Sequence, residues 1–390
     1  MSNRGQPGAR EGAGGAFYRA DGPAAAPVLV LLGSLGTTAD VWDSQLQALR
    51  PWLRTLRVEH PGHGGSARLP GKGSVEALGK RVLGLLDELQ VERASVAGLS
   101  LGGLVGLWLA ANHPERVDRL VLACTTARFE NSATYAERAV AVRASGTAPL
   151  VPGALSRWFT DGFSRANPDV PARYGAMLAA IDPEGYAYCC EAVASADLRG
   201  EVAGIEAPTL VVGGARDPVV TPAQAGALAS SLKDAMLCVL PGAAHLANVE
   251  QTGYFNDALM AHLVGSASRR GLEVRKDVLG AAHVQNSFSR ASELSSDFQE
   301  LLGKWPWGEI WARPGLDRLT RRLLAIAMLV ALNRPEELEM HIRAGLRDGI
   351  TVDVLKEVLL QTAIYAGAPA ANAAFAIADR VVLEGQDPAI

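Results

Sequence analysis

The sequence is poor in cysteine, and its few cysteines are not spaced for a structural role. Cys124, Cys189, Cys190 and Cys238 are the four cysteines of the 390-residue chain, and none belongs to a C-x-x-C motif. Thiolate zinc sites and redox-active dithiols use that spacing, and disulfide-stapled domains are short and rich in cysteine. The pattern therefore predicts free thiols in a reducing compartment, with no metal site and no disulfide framework.

Long apolar runs and an excess of charge of one sign are also missing. No stretch of 18 apolar residues suggests a membrane span, and the polar, glycine-rich residues 1–22 lack the apolar core of a signal peptide. The net charge of −4 gives no general basic field for nucleic acid. We therefore expect a cytoplasmic protein that binds neither membranes nor nucleic acids.

The chain is too long for a single hydrophobic core. One core usually stops growing at about 250–300 residues, so 390 residues predict two domains. We expect a disordered start over residues 1–15 and a first domain over 16–264. Small, polar residues at 265–271 predict a linker, and a second domain follows over 272–390.

Residues 16–264 alternate between strand and helix patterns. Continuous apolar runs predict five buried strands, which begin near Ala26, Thr55, Arg93, Arg119 and Ala207. Helical spacing of leucine and valine at 77–91 and after Ser100 places helices between them. Such alternation predicts a doubly wound, mostly parallel sheet. The roughly 80 residues between the last two strands, about 127–207, predict a helical cap over the active site.

The second domain has a different pattern. Apolar positions with a period near 3.6 residues recur in segments 317–333, 335–349 and 351–367, and no strand-like alternation separates them. This domain is therefore expected to be all-α.

A candidate nucleophile stands between the third strand and the helix after it. Gly98 and Gly102 flank Ser100 in a G-x-S-x-G motif, in which glycines allow a turn tight enough to present the serine above the sheet. Backbone N–H groups near Leu35 and Leu101 would bind the substrate oxygen. A serine hydroxyl needs an adjacent base, and no cofactor is required for such chemistry.

The order serine, acid, histidine along the chain selects the partners of Ser100. Asp217 follows the fifth strand, and His245 lies in a later loop. Asp118 and Asp234 are rival acids, but Asp118 is expected on the opposite edge of the sheet. The other histidines of this domain are expected to be structural or on the surface: His60 and His63 in a glycine-rich loop, His113 at a helix end, and His262 on a surface helix.

These motifs resemble the α/β-hydrolase family over residues 16–264, and within it the 3-oxoadipate enol-lactonases. The resemblance is carried by Gly33–Gln45, His60–Ser66, Ala97–Phe129 and the "GARDPVV" that contains Asp217. It implies a Ser-His-Asp hydrolase, with Trp158 of the cap either lining the pocket or packing in an aromatic core. Related esterases and cofactor-free haloperoxidases share much of the pattern, whereas haloalkane dehalogenases carry aspartate in place of Ser100.

One helix of the second domain carries ionisable residues at regular spacing. Arg334, Glu337 and His341 are spaced i, i+3 and i+7, so they line one helix face from its start at Pro335. A solvated charged face is the plain alternative to a site.

Residues 272–383 resemble the 4-carboxymuconolactone decarboxylase family, within the larger group of AhpD-like proteins. The peroxidase branch of that group has a C-x-x-C pair where Arg334 and Glu337 stand here, so disulfide chemistry is excluded. The resemblance implies that His341, oriented by Glu337, delivers a proton to carbon. Arginine forks suit carboxylates, which makes Arg322 and Arg334 candidates for substrate binding, with His283 as a further candidate.

Taken together, the two resemblances imply a bifunctional enzyme of protocatechuate catabolism. Its first reaction would release CO₂ from 4-carboxymuconolactone without a cofactor, and its second would hydrolyse the enol lactone to 3-oxoadipate. The family resemblance also implies self-association through the helical domain. The alternatives are a general carboxylesterase with an oligomerisation tail, a tail that only binds a ligand, and a cofactor-free haloperoxidase.

Overall fold

The chain folds into two compact units, and the boundary along the chain falls between Val264 and Gly265. The structure, a computed structural model, describes residues 9–12, 15–265, 267–290 and 292–384. Within these ranges, no helix has both the length and the apolar character required to cross a bilayer. The expected disordered start is corrected at 9–12, which form a strand, while 1–8 and 13–14 lie outside the described residues.

The first unit is built on an eight-stranded sheet. The strands are β1 Ala9–Gly12, β2 Ala16–Asp21, β3 Val28–Leu32, β4 Arg54–Val58, β5 Ala94–Leu99, β6 Val117–Ala123, β7 Thr209–Gly214 and β8 Ala235–Leu240. Their spatial order is β1-β2-β4-β3-β5-β6-β7-β8. β2 pairs antiparallel with both β1 and β4, and all other pairs are parallel. The prediction of a mostly parallel, doubly wound sheet is thus confirmed.

The five expected strands correspond to β3–β7, and β1, β2 and β8 were missed. β1 and β8 are the two edge strands, and β2 lies between β1 and β4. β8 is a continuous apolar run, yet three of its six residues are exposed, among them Met236 and Leu237.

Eleven α-helices belong to the described part of the first unit. They are α1 Asp43–Leu49, α2 Val75–Glu88, α3 Leu101–Asn112, α4 Ser132–Ser145, α5 Val151–Trp158, α6 Asp161–Ala166, α7 Asp169–Ala179, α8 Pro183–Ser195, α9 Pro222–Ser231, α10 Ala247–Glu250 and α11 Thr252–Leu263. Short 3₁₀ helices occur at Ala39–Trp42, Pro114–Arg116, Ala148–Leu150 and Val202–Gly204. Helices α4–α8 fill the interval between β6 and β7 and form the cap.

The second unit is entirely helical in its described residues. Its helices are α12 Ala267–Leu279, α13 Ala281–Ser289, α14 Glu293–Leu302, a π-helix at Gly303–Trp311, α15 Arg318–Ala331, α16 Pro335–Arg347, α17 Val352–Ala366 and α18 Ala368–Glu384. The main core joins α15–α18 through buried aliphatic residues that include Ile326, Ile342 and Leu359. The prediction of an all-α second half is confirmed.

The expected linker at 265–271 is corrected, because α12 already begins at Ala267. α12 packs closely against the π-helix at two glycines. A Cβ on Gly271 would lie 1.7 Å from the Gly303 carbonyl oxygen, and one on Gly308 would lie 2.0 Å from the Ala267 carbonyl oxygen. Small residues here allow the backbones of two helices to come into close contact. Composition alone does not distinguish such a segment from a flexible linker.

This contact predicts that Gly308→Ala destabilises the second unit. The added methyl group would meet backbone rather than a movable side chain, and such overpacking costs about 1–3 kcal/mol. Gly303→Ala, in the same π-helix, is the matched control because its Cβ would meet nothing within 4 Å. Amide hydrogen exchange of α12 peptides in the full chain should accelerate in the first variant only. Equal exchange in both variants would refute the packing argument.

Candidate active sites

The backbone at Ser100 is held in an unusual conformation by its two glycine neighbours. Ser100 has φ 54° and ψ −110° and joins β5 directly to α3. A Cβ on Gly98 would lie 2.1 Å from the Gly102 carbonyl oxygen, and one on Gly102 would lie 2.3 Å from the Leu32 carbonyl oxygen. Both positions of the motif therefore require glycine for a steric reason.

Ser100, His245 and Asp217 form a continuous hydrogen-bonded chain. His245 Nε2 lies 2.9 Å from Ser100 Oγ, and His245 Nδ1 lies 2.8 Å from Asp217 Oδ2. With Nδ1–H donating to the carboxylate, Nε2 is free to accept the serine proton. The backbone N–H groups of Val219 and Val220 donate to the other Asp217 oxygen at 2.7 and 3.1 Å. All three side chains are buried, so the arrangement can activate the serine as a nucleophile.

The loop that carries His245 is fixed from two sides. Arg216 N–H donates to the Ala243 carbonyl at 2.8 Å, which ties the Asp217 loop to the His245 loop. Glu250 accepts from Ala244 N–H at 2.8 Å and from Thr160 N–H of the cap at 3.1 Å. Glu250 was not a sequence candidate, because its partners are 6 and 90 residues away and follow no periodic pattern.

Two backbone N–H groups are available near Ser100 for an oxyanion. Leu101 begins α3, Leu35 follows β3, and both residues are buried. Neither N–H donates a hydrogen bond to any residue in the described part of the chain. The assignment of these groups as an oxyanion hole remains a prediction that this geometry allows.

Two buried histidines hold the loop that contains Leu35. Gly36 N–H donates to His63 Nε2 at 3.1 Å, and His60 Nε2 donates to the Gly33 carbonyl at 2.8 Å. Burial lowers the pKa of His63 to about 3 and that of His60 to about 4. Both rings are therefore neutral near pH 7, which His63 needs in order to accept a hydrogen bond. The expectation of a structural role agrees with these contacts.

His262, expected on the surface, is instead buried at 5% exposure. Burial lowers its pKa, and the backbone of Leu120 and Pro208 contacts its ring. A helix-end position in the sequence does not reveal that α11 turns this residue toward the sheet.

Trp158 lies where the cap meets the catalytic loops. His245 N–H donates to the Arg157 carbonyl at 3.2 Å, and Leu246 N–H donates to the Trp158 carbonyl at 3.0 Å. The indole packs edge-on against Tyr174 at a centroid distance of 6.4 Å. A Cβ on Gly36 would come within 3.6 Å of the indole. Trp158 thus packs in an aromatic cluster beside the Leu35 loop, and its contact with substrate remains a prediction.

Cys124 is an unexpected neighbour of the catalytic acid. Ligand atoms of Cys124, Asp217 and His245 lie within 4.8 Å of one another. Burial, together with the Asp217 charge, holds the pKa of the thiol well above its usual value, so the thiol stays protonated. Both His245 nitrogens already face Asp217 and Ser100. The only sequence signal for Cys124 was its position directly after β6. Strands β5–β7 end at the same edge of the sheet, so the residue after β6 comes close to the residues that follow β5 and β7.

In the second unit, Arg322 and His341 are brought together in the interior. Both are buried, and Arg322 lies over Gly345, one turn after His341 on α16, where a Cβ would be 3.2 Å from Arg322 Cδ. Arg322 Nη2 donates to the Val278 carbonyl at 2.9 Å and to Asp348 at 2.6 Å. The His341 ring stacks on Trp311 of the π-helix at 5.8 Å between centroids. Trp311 was not a sequence candidate.

Each residue of this buried pair keeps a nitrogen without a partner. Arg322 Nη1 and His341 Nδ1 are buried and have no hydrogen-bond partner among the described residues. Unpaired buried polar groups are costly, and functional sites are where they are retained. Both nitrogens thus remain available for a further hydrogen bond.

The other candidates of this unit are on its surface. Glu337, Arg334 and His283 are exposed. Arg334 has φ −115° and ψ 78°, so it precedes α16 rather than continuing its face. No hydrogen bond joins Glu337 to His341 among the described residues; the carboxylate acts on the imidazole only through its charge. The described residues of one chain do not place these three beside the buried pair.

Burial controls the protonation of His341. Burial and, next, the neighbouring Arg322 charge lower the pKa of the imidazole, Glu337 opposes both, and the resulting pKa is about 4. A bound carboxylate would act in the same direction as Glu337 and raise this pKa. The ring can therefore be neutral when the site is empty and take up a proton when an anion binds.

Comparison with known proteins divides the chain as the two units do. The family model described as "alpha/beta hydrolase fold" matches residues 27–252, and the one described as "Carboxymuconolactone decarboxylase family" matches residues 296–380. The 3-oxoadipate enol-lactonase 2 of Acinetobacter baylyi is 38% identical over 244 residues, which are 63% of this chain and 91% of that protein. The 4-carboxymuconolactone decarboxylase of the same organism is 49% identical over 113 residues, which are 29% of this chain and 84% of that protein.

A solved structure resembles the first unit as well. The crystal structure of the enol-lactonase from Burkholderia xenovorans LB400 aligns with a TM-score of 0.63 and 38% sequence identity. The alignment covers 66% of this chain and 99% of that one. Such coverage places the likeness over a whole enzyme of that kind.

The depressed pKa of His341 predicts a pH-dependent stability of the second unit. The unfolded imidazole has a pKa near 6.5 and the folded one about 4, so protons bind preferentially to the unfolded chain. This group therefore removes stability as pH falls from 6.5 to 4, by up to about 3 kcal/mol. Hydrogen exchange of α16 peptides, corrected for intrinsic rates, should show this loss between pH 7 and pH 4.5.

His341→Gln should weaken that pH dependence, since it removes the titrating ring. The exposed His283→Gln is the matched control and should keep the wild-type slope. A His341→Gln variant with an unchanged slope would contradict the argument.

Proposed function

We propose that this chain catalyses two consecutive steps of protocatechuate catabolism. It belongs to the α/β-hydrolase fold family over residues 27–252 and to the carboxymuconolactone decarboxylase family over residues 296–380. The second unit decarboxylates 4-carboxymuconolactone to 3-oxoadipate enol-lactone, and the first unit hydrolyses this lactone to 3-oxoadipate. One observation carries the proposal: relatives named for these two reactions match the two parts of a single chain.

The decarboxylation needs anion binding and one proton. The departing carboxylate is on a carbon vinylogous to the lactone carbonyl, so its electron pair can move through the ring C=C into that carbonyl as CO₂ leaves. Arg322, with Nη1 unpaired, is suited to a substrate carboxylate or to the developing oxyanion. His341, whose pKa rises when the anion binds, then protonates carbon. The proton adds to the ring carbon next to the carbonyl, and the C=C shifts to the carbon that lost CO₂. This gives the enol lactone without an external electron acceptor.

The hydrolysis follows from the hydrogen-bonded chain at Ser100. Ser100 Oγ attacks the lactone carbonyl carbon while His245 Nε2 takes its proton, and the N–H groups of Leu35 and Leu101 bind the oxyanion. The bond to the ring oxygen then breaks, and His245 returns the proton to this enol oxygen. Water, activated by His245, releases the acyl group, and the enol becomes the ketone of 3-oxoadipate. An enolate is a good leaving group, so acylation should be fast.

We also propose that the second unit joins a second copy of this chain. α15 and α17 form an open apolar groove of about 620 Å³, lined by Leu323, Leu324, Ala327, Val354 and Val358 together with polar residues at its margin. Ile364 and Tyr365 at the end of α17 are 78% and 81% exposed. An exposed apolar surface of this kind is typical of an interface. The family resemblance also implies self-association through this domain, so a second copy of the chain is the partner that we propose for the groove.

The order of the two reactions can be tested with one nucleophile variant. Time-resolved NMR and CO₂ detection would follow 4-carboxymuconolactone with wild type, Ser100→Ala and His341→Gln. Wild type should form 3-oxoadipate, whereas Ser100→Ala should release CO₂ and accumulate the enol lactone, since loss of a serine nucleophile costs roughly 10⁴–10⁶ in kcat. His341→Gln should retain hydrolysis of added enol lactone but lose CO₂ release.

Three other results would contradict this assignment in different ways. Absence of CO₂ release by wild type would leave a hydrolase with a tail that only binds or assembles. Unchanged activities in His341→Gln would indicate a carboxylesterase whose tail has no catalytic role. Peracid-dependent bromination far above lactone hydrolysis would indicate a haloperoxidase.

The proposed interface predicts a change of mass. Light scattering after size exclusion should give an oligomer for wild type and a smaller species for Leu324→Glu, because the new charge would be buried at the interface. Leu294→Glu, at a leucine that is 94% exposed outside the groove, should keep the wild-type mass. A monomeric wild type would refute self-association.

A further inference from the structure

A cavity of about 450 Å³ lies between the cap and the loop that carries Asp217. Its walls include Pro218 and Val219 from that loop, and Tyr135, Arg138 and Arg157 from the cap. Pro218 and Val219 directly follow the catalytic acid, and Val219 N–H donates to its carboxylate at 2.7 Å, so the cavity lies beside the loop of the catalytic acid. Nothing in the reaction described above uses the two arginines.

We infer that Arg138 and Arg157 form the site that binds the carboxylate of an anionic lactone and orients its ring on Ser100. This inference rests on the proposed hydrolase function and specifies its substrate class. It concerns the first unit alone and is independent of the decarboxylation.

Arg138 is fixed in place without being neutralised. Its guanidinium carbon lies 4.8 Å from the centre of the Tyr135 ring, and the guanidinium lies against the Tyr186 phenol oxygen. Both contacts are with neutral groups, since burial raises the pKa of each tyrosine. Stacking on one ring and contact with another orient the guanidinium fork while its positive charge remains available.

Arg157 belongs to the segment that contacts the catalytic histidine. Its carbonyl accepts the backbone N–H of His245 at 3.2 Å, and its side chain is half-buried in the same cavity wall as Arg138. Burial and the neighbouring Arg138 charge lower the pKa of Arg157. Two cations held this close without a carboxylate repel each other, and a bound anion would relieve that repulsion.

The two arginines that line the cavity have no acidic partner in the part of the chain that the structure describes. Within the described residues, no Asp or Glu carboxylate lies within 4.0 Å of either guanidinium, although Glu130 lines the same cavity. A neighbouring cap arginine outside the cavity lining is paired, by contrast. Arg143, five residues after Arg138 on α4, contacts Glu184 at 3.0 Å and Glu191 at 2.7 Å.

Tyr186 connects the arginine pair to the oxyanion side of the site. Its ring stacks on His63 at 6.3 Å between centroids, and a Cβ on Gly36 would come within 3.2 Å of it. His63 holds Gly36 N–H, next to Leu35. Arg138 is therefore one tyrosine ring away from the loop expected to bind the lactone carbonyl oxygen.

The chemistry of the enol lactone suits this arrangement. Its carboxymethyl group is attached next to the ring oxygen, a few bonds from the carbonyl carbon that Ser100 attacks. Arginine forks bind carboxylates through two parallel N–H···O bonds. A carboxylate held by the cap would therefore fix both the distance and the orientation of the ring carbonyl relative to Ser100.

A pair of lactones that differ in charge tests the inference. The charged substrate is 3-oxoadipate enol-lactone, and its neutral twin is 5-methyl-2(3H)-furanone, which has a methyl group in place of carboxymethyl. Arg138→Gln and Arg157→Gln should each lower kcat/KM for the charged lactone about 10- to 100-fold, the range expected for a lost charge-assisted hydrogen bond. The value for the neutral lactone should change less than about threefold, because a merely structural defect would reduce both alike.

Two further variants serve as controls. Arg143→Gln removes a neutralised arginine from the same helix and should leave the ratio of the two kcat/KM values as in wild type. Arg138→Lys keeps the charge without the fork and should recover part of the preference for the charged lactone.

The outcomes separate this inference from the proposed function. Equal losses on both lactones in the glutamine variants, with active wild type, would overturn the carboxylate site and leave the hydrolase function intact. A wild type that hydrolyses only the neutral lactone would overturn both. A selective loss on the charged lactone would confirm the site.

Discussion

The tight turn at Ser100 is the constraint on which the hydrolase unit depends. It leaves room for no side chain at Gly98 or Gly102, and it places Ser100 and Leu101 at the junction of β5 and α3. Because the neighbouring strands end at the same edge of the sheet, Cys124 and Asp217 come close to the serine from β6 and β7. The cap and the His245 loop are then joined to this edge by backbone hydrogen bonds. The unusual backbone conformation of Ser100 is thus held in place by the strands and loops around it.

The two units prepare their sites by different physical means. In the first, every polar atom of the catalytic chain has a partner, so the reactive tautomer of His245 is set before substrate binds. In the second, Arg322 Nη1 and His341 Nδ1 are buried without partners among the described residues. In the proposed decarboxylation, an anionic substrate would supply the missing hydrogen bonds and shift the proton equilibrium of His341.

The proposed function and the inferred carboxylate site give arginine a similar role in both units. The carboxylate of a lactone acid loses its hydration on binding and needs a positive charge in place of the water. A guanidinium keeps its charge when buried, so it can supply that charge. Arg322 is buried and anchored by Asp348, which leaves one side of its fork available. Arg138 is anchored by aromatic rings instead, which leaves its charge unneutralised. In each case the anchoring contact determines which part of the guanidinium can meet a substrate.

The sequence by itself determined the parallel sheet, the helical second half and the order of Ser100, Asp217 and His245 along the chain. Apolar runs and periods are local properties, and the glycine motif has a steric cause that holds wherever it occurs. Only the tertiary structure decided which members of a periodic face became buried. Helical spacing grouped Arg334, Glu337 and His341, yet α16 begins after Arg334, and the packing of α15 and the π-helix encloses His341 alone. Glu250 contacts the cap, and Arg138 lies near Arg157, although these residues come from different loops and helices. Their burial and their partners arise only in the assembled fold, so they leave no periodic pattern in the sequence.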